Sequence, residues 1–200
     1  MAVMIRKAAL LSLMLAVLAG CATRVSLDAS GRRQLLDGTV HAVSYESPSF
    51  SVVTAGRMAT AGLLGPIAGV VVGIQAQNEG KEAVARLAMP DPAAQIRDRL
   101  TQRLAADGSL RDVRRAASSP RDDGFDDLRS AGLRPLVLDV KTIGWNLLYY
   151  GSNWGRYRVV YVGRARFLNV DAGSTLWEAR CESKGPEDPA ASPTLDEFRQ

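Results

Sequence analysis

Histidine is almost absent from this chain. His41 is the only one in 200 residues, which removes most zinc sites and most triads that need an imidazole base; His41 itself reads as a polar residue on a strand. Cysteine is nearly as scarce, with only Cys21 and Cys181, and no metal-ligand spacing accompanies them. Net charge is small at +4, too weak to argue for nucleic acid. No phosphate-cradling loop is present, since Gly62 to Gly73 ends without the Lys-Thr of a P-loop and lacks a dinucleotide fingerprint. The one dense acidic run, Asp122-Asp123-Gly124-Phe125-Asp126-Asp127, lacks the alternating oxygen ligands and distal Glu of a calcium loop and reads as helix-start acids. No nucleophile-base pair stands out either. These absences predict a protein that is not an enzyme and that carries no metal and no cofactor.

What is present begins at the N-terminus. Arg6 and Lys7 precede an apolar run, Ala8 to Val17, that is too short to span a bilayer, and small residues follow it. That is the layout of an export signal over residues 1–20, ending in Leu18-Ala19-Gly20-Cys21. The tetrad resembles the lipobox of bacterial lipoproteins. The resemblance implies cleavage between Gly20 and Cys21, a diacylglycerol on the Cys21 thiol and acylation of the new amine. Several acyl chains on one residue would hold the protein on a membrane durably, where a single chain holds marginally. The residue after the cysteine influences sorting in that class, and Asp there retains the protein at the inner membrane. Ala22 stands here, so the resemblance implies outer-membrane delivery, facing the periplasm. The implied partners are the membrane itself, the lipoprotein processing and sorting machinery, and an unidentified envelope protein.

After cleavage the charge falls to about +2, and the remaining length suits one domain. Residues 21–38 are polar and aperiodic and are expected to be a flexible tether. A single α+β domain is expected over 39–185, opening with a strand at Thr39 to Tyr45. Within it, residues 58–78 carry no charge, and Ala61, Gly65, Gly69 and Gly73 recur every four residues. On one continuous helix they would form a small-residue face suited to close packing, an oligomer seam or a membrane helix pair, although Pro66 interrupts such a span. Asp91-Pro92 opens the clearest helix, with Ile96, Leu100 and Leu104 on its inner stripe, Arg97, Asp98, Arg99 and Arg103 facing out, and Asp107-Gly108 closing it.

From Leu133 the period changes to two, predicting a three-stranded meander over Leu136 to Tyr150, Arg156 to Val170 and Thr175 to Ser183. A loop at Asp171-Ala172-Gly173 with a left-handed Gly173 would set Phe167 opposite Trp177, Ala165 opposite Ala179 and Arg166 opposite Glu178. The change of phase between Leu136, Leu138, Val140 and Ile143, Trp145, Leu147, Tyr149 calls for a bulge near Gly144. Arg156, Arg158, Arg164 and Arg166 share the face away from the core, where Glu178 and Glu182 would pair with them in solvent. The hairpin tip, with Tyr149, Tyr150 and Trp154, is a candidate contact loop, because clustered loop aromatics without a core role usually touch something.

The fold expected is an α+β domain with an antiparallel sheet of about four strands and one or two helices on a single face. Beyond the lipobox, this order of elements resembles small envelope lipoproteins of proteobacteria, which implies a structural or interaction role. The alternative is an oligomerising or membrane-inserting glycine-zipper component of an export or pore assembly. Residues 186–200 read as a Pro/Ala/Ser linker and the start of a helix too short to stand alone. The expectation is therefore that the natural chain continues into a further helix, whose cysteine bonds Cys181.

Overall fold

The alternating stretch after Leu133 dictates the centre of the fold. In a computed structural model, which describes residues 21–64 and 66–200, it forms β5 (Leu136–Tyr150), β6 (Asn153–Asn169) and β7 (Ser174–Ser183), an antiparallel meander. All three forecast pairs are in register: Phe167 with Trp177, Ala165 with Ala179, and Arg166 with Glu178. Gly173 takes φ +63°, the left-handed turn residue. The β5–β6 ladder shifts between Thr142 and Gly144, so Leu136, Leu138 and Val140 face the same side as Trp145 and Leu147.

Around this meander the sheet is larger than expected and mixed in direction. Seven strands are present, in the order β1-β7-β6-β5-β2-β4, with β1 (Cys21–Val25), β2 (Thr39–Val43) and β4 (Asp112–Arg115), while β3 (Ser51–Val53) pairs with the far part of β5. The β2–β4, β2–β5 and β3–β5 pairs are parallel. β2 answers the strand expected at Thr39 to Tyr45, and it and the other three strands outside the meander run to only three to five residues. Segments that short show little periodicity, and neighbouring strands supply their extended state.

Residues 21–38 are not a loose tether. β1 lies along the outer edge of β7, and Asp28 caps α1 (Ala29–Asp37), where Gly31 N–H donates to its carboxylate at 2.6 Å. α1 packs with α4 (Pro92–Ala106) over Leu136, Leu138, Val140 and Phe167. Asp91 and Pro92 start α4 as anticipated, but its inner stripe is Ala93, Arg97, Leu100 and Leu104. Arg97 is only 5% exposed and bonds Ser44 and Asp98, while Ile96 is left outside. Helices occupy both faces of the sheet, not one. α5 (Phe125–Ser130) covers the opposite side, burying Leu128 and Leu133 against Val43, Val137, Leu168 and Val170.

The uncharged segment forms two helices, α2 (Ala55–Leu64) and α3 (Pro66–Arg86). The chain must reverse between them, because Arg57 and Glu79 pair at 2.6 Å and Gly80 abuts the backbone of Phe50. Ala61 therefore stands on one leg and Gly69 and Gly73 on the other, and the four-residue repeat does not form one face; Gly65 and Gly20 lie outside the described residues. The small residues that do pack are Ala76, Gly80 and Ala83.

At the C-terminus, Pro193 accepts a hydrogen bond from Tyr157 N–H at 2.9 Å, and the Tyr150 hydroxyl donates to Pro186 O at 2.5 Å. The 186–193 segment is thus strapped to the sheet and is no free linker. α6 (Leu195–Arg199) starts with a Thr194–Glu197 capping box and docks Leu195 and Phe198 on the cluster of Phe50, Trp145 and Tyr157.

Candidate functional site

Four groups of side chains are candidates for the chemistry or contacts of this protein. The first is the edge at Cys21. Cys21 opens β1, exposed, directly opposite Cys181 in the β1–β7 ladder, with the two Cα atoms 4.0 Å apart and the sulfurs bonded. The expected partner of Cys181, a cysteine on a following helix, is replaced by one 160 positions earlier. Pairing of β1 with β7 brings the two together, and no helical periodicity announces a five-residue edge strand. A sulfur in a disulfide has no thiolate left to alkylate, so this bond and a thioether-linked lipid on Cys21 are alternative fates of the same atom.

The second group is the aromatic hairpin. Its turn is Gly151-Ser152, and of the three expected contact residues only Trp154 is presented, at 68% exposure. Tyr149 packs beside Trp145 and Leu147. Tyr150 is buried, its hydroxyl shared with Pro186 and Ser192 and its ring under the Arg158 guanidinium. Tyr150 had a core reason that the sequence hid, because the segment covering it lies some 36 to 42 residues downstream.

The third is a set of charges on the α5 face. Asp139 is fully buried and accepts from Arg166 Nε at 2.6 Å, with an Arg164 nitrogen at 3.4 Å. Asp123 meets both arginines, and Lys141 meets Asp122 at 2.9 Å. Arg164 and Arg166 therefore pair inward with β5 and the 122–123 loop, Arg156 reaches Ser192 O and Glu197, and Arg158 lies over Tyr150, so none of the four forms the expected solvent pair with Glu178 or Glu182. Burial pushes the Asp139 carboxyl up, against the pull of Arg166 and Arg164. Burial and the Asp139 charge also hold the Tyr45 hydroxyl well above its usual range. The Lys141 ammonium, helped by the Asp123 backbone N–H, draws Asp122 down to about 2. A carboxylate sealed under paired guanidinium groups has no room for a substrate, so the cluster can clamp the acidic loop to the sheet and do little else.

The fourth is the α2–α3 arm. Arg57, Glu79 and Arg199 form a charged knot at its base, with Arg199 reaching Glu79 at 2.5 Å. Burial raises the Glu79 carboxyl, but hydrogen bonds from Arg199 and Arg57 outweigh it and leave a net lowering. A polar cavity of about 510 Å³ lies here, between the arm and α6. Beyond the knot the arm exposes Met58, Leu63, Val70, Val71 and Ile74. A second, more apolar cavity of about 450 Å³ lies among Leu27, Leu35, Leu36, Leu104, Leu110 and Phe167. Among the described residues, no three metal-ligating side chains are grouped to hold an ion, and no helix is long and apolar enough to cross a membrane.

No family model matches the chain, and no curated protein matches it. Among solved structures, a point variant of the PelC dodecamer from Paraburkholderia phytofirmans superposes with a TM-score of 0.40 and 15% identity, over 89% of this chain and 88% of that one. PelC in a second crystal form gives a TM-score of 0.34 and 16% identity, over 82% and 81% of the two chains. The lipoprotein GNA1162 from Neisseria meningitidis gives 0.29 and 11%, over 81% and 90%.

Proposed function

We propose that this chain is a lipid-anchored, non-catalytic lipoprotein of the bacterial envelope, held at the periplasmic face of the outer membrane through Cys21 and serving as a structural or interaction module. The observation that supports this reading is the position of Cys21. It follows Leu18-Ala19-Gly20 directly and opens β1, exposed at the edge of the sheet. Anchored there, the domain would sit close against the membrane, because β1 is bound to β7 with no free tether between lipid and sheet. Fatty-acid analogue supplied during growth is expected to label the wild type and not Cys21→Ser. The labelled protein, denatured without reductant, should titrate one thiol, that of Cys181. An unlabelled wild type with no titratable thiol would mean that Cys21 is spent in the disulfide, and would overturn the reading.

The exposed apolar arm favours a second reading, in which the protein oligomerises or inserts into a membrane as part of an export or pore assembly. Gly69→Leu distinguishes the two. Loss of assembly or membrane insertion with unchanged thermal melting supports the second reading, and unchanged behaviour in both respects removes it.

A further inference from the structure

We infer that the apolar cavity between α1 and α4 holds the acyl chain of a monoacyl lipid whose head carries both a phosphate and an ammonium. The inference goes beyond lipid anchoring at Cys21 and does not depend on it.

The walls of the cavity are the first support. Its volume of about 450 Å³ falls within the usual span of ligand pockets, about 300–1,000 Å³. Leu35, Leu110 and Phe167, each 5% exposed or less, line it together with the half-buried Leu27, Leu36 and Leu104. Such side chains offer water no hydrogen bonds, and a held water needs about two to four. An apolar guest therefore suits the space better than solvent does.

The gap is built into the fold. Gly31 and Gly38 let α1 close tightly on its neighbours: a methyl on Gly31 would stand 2.8 Å from Leu27 Cδ1, and one on Gly38 2.6 Å from Leu136 Cδ1. Asn169 Nδ2 also donates to Gln34 Oε1 at 2.8 Å. On the other side α4 is held where Thr142 Oγ1 donates to Asp91 at 2.9 Å and Arg97 bonds Ser44. With both helices fixed, neither can slide across to close the space over Phe167.

The mouth supplies the head chemistry. Two exposed charges line it, Arg32 from α1 and Asp107 just past the end of α4. They do not pair with each other, and neither forms an ion pair with another described residue. Asp107 accepts from Ser109 N–H at 3.0 Å and stands at the negative end of the α4 dipole, where an ammonium is favoured. The planar guanidinium of Arg32 suits a phosphate. A fatty acid would answer Arg32 alone and bring its carboxylate into the field of Asp107, so the pair of charges selects a zwitterion.

The test is calorimetric titration of the full mature chain, made without residues 1–20 so that no acyl anchor is attached. Palmitoyl lysophosphatidylethanolamine, kept below its micelle concentration, should bind saturably and one to one. Across a series of chain lengths on the same head, affinity should rise about fourfold per methylene and level off once the cavity is full. Leu36→Trp, which takes up part of the space, should move that plateau to a shorter chain. Arg32→Glu should weaken binding about fivefold, the scale of an exposed ion pair. Asp107→Lys should weaken binding of lysophosphatidylethanolamine by a similar factor yet tighten that of palmitate, the same chain with a carboxylate head. The last two are surface substitutions, and the plateau of the parent chain needs no variant, so misfolding of Leu36→Trp leaves the test standing. The inference is overturned if no saturable binding is seen, if affinity climbs with chain length without a plateau, or if palmitate binds the parent as tightly as lysophosphatidylethanolamine. Acylation of Cys21 enters none of these measurements.

Discussion

Gly80→Ala and Gly73→Ala, the same substitution on the same helix, are expected to change stability in opposite directions. A methyl on Gly80 would overlap the carbonyl group of Phe50 and stand 3.0 Å from Ser51 N. These are backbone atoms entering β3, so no side chain can swing aside, and α3 must lift from the sheet. Overpacking of this kind costs about 1–3 kcal/mol and occasionally more. The gain of about 1 kcal/mol from replacing a helical glycine by alanine does not offset it. At Gly73 the methyl meets nothing within 4 Å, so only the helix-propensity gain remains. Urea melts should show a lower midpoint for Gly80→Ala and a slightly higher one for Gly73→Ala. Equal losses at both would mean that the arm's small face is packed in solution, contrary to the open geometry described here.

The second large effect is at Asp139. Truncating it to Ala leaves Arg166 and Arg164, 13% and 21% exposed, with only Asp123 to answer them. Breaking a buried ion cluster by removing one member costs about 3–5 kcal/mol, or about 10 °C in melting temperature for a domain of this size. Asp139→Leu combined with Arg166→Met should recover much of the loss, since an apolar pair leaves fewer charges unanswered. The pH profile adds a signature. The folded Asp139 carboxyl titrates above its unfolded value, so above about pH 4 the folded state holds more protons and stability falls as pH rises through the folded pKa. Asp122, drawn down to about 2 by Lys141, acts oppositely: its contribution is present above its unfolded pKa and is lost as pH falls toward 2. Midpoints measured from pH 2 to 7 should rise and then decline. In Asp139→Asn the decline should disappear.

Where one local pattern repeats over many residues, the sequence was enough to read the structure. The meander, its register, the bulge near Gly144 and the left-handed Gly173 all follow from period-two alternation and one turn residue. The Asp91–Pro92 start of α4 follows from cap chemistry confined to two adjacent residues. Arg97 was misplaced because an arginine inside an amphipathic stripe looks like an outward charge until Ser44 arrives from another element. Tyr150 looks like a loop aromatic for the same reason, its hydroxyl partners coming from Pro186 and Ser192.

By itself, then, the sequence determined the strand-rich C-terminal half and the charge-free stretch between Arg57 and Glu79, because each is written in consecutive residues. Tertiary structure alone decided that β1 is a strand, that Cys21 meets Cys181, that the uncharged stretch folds back on itself, and that Asp139 is sealed beneath two arginines. Each of these depends on groups far apart in the chain, and the free energy of bringing them together comes from the packed sheet, which no local window of sequence contains.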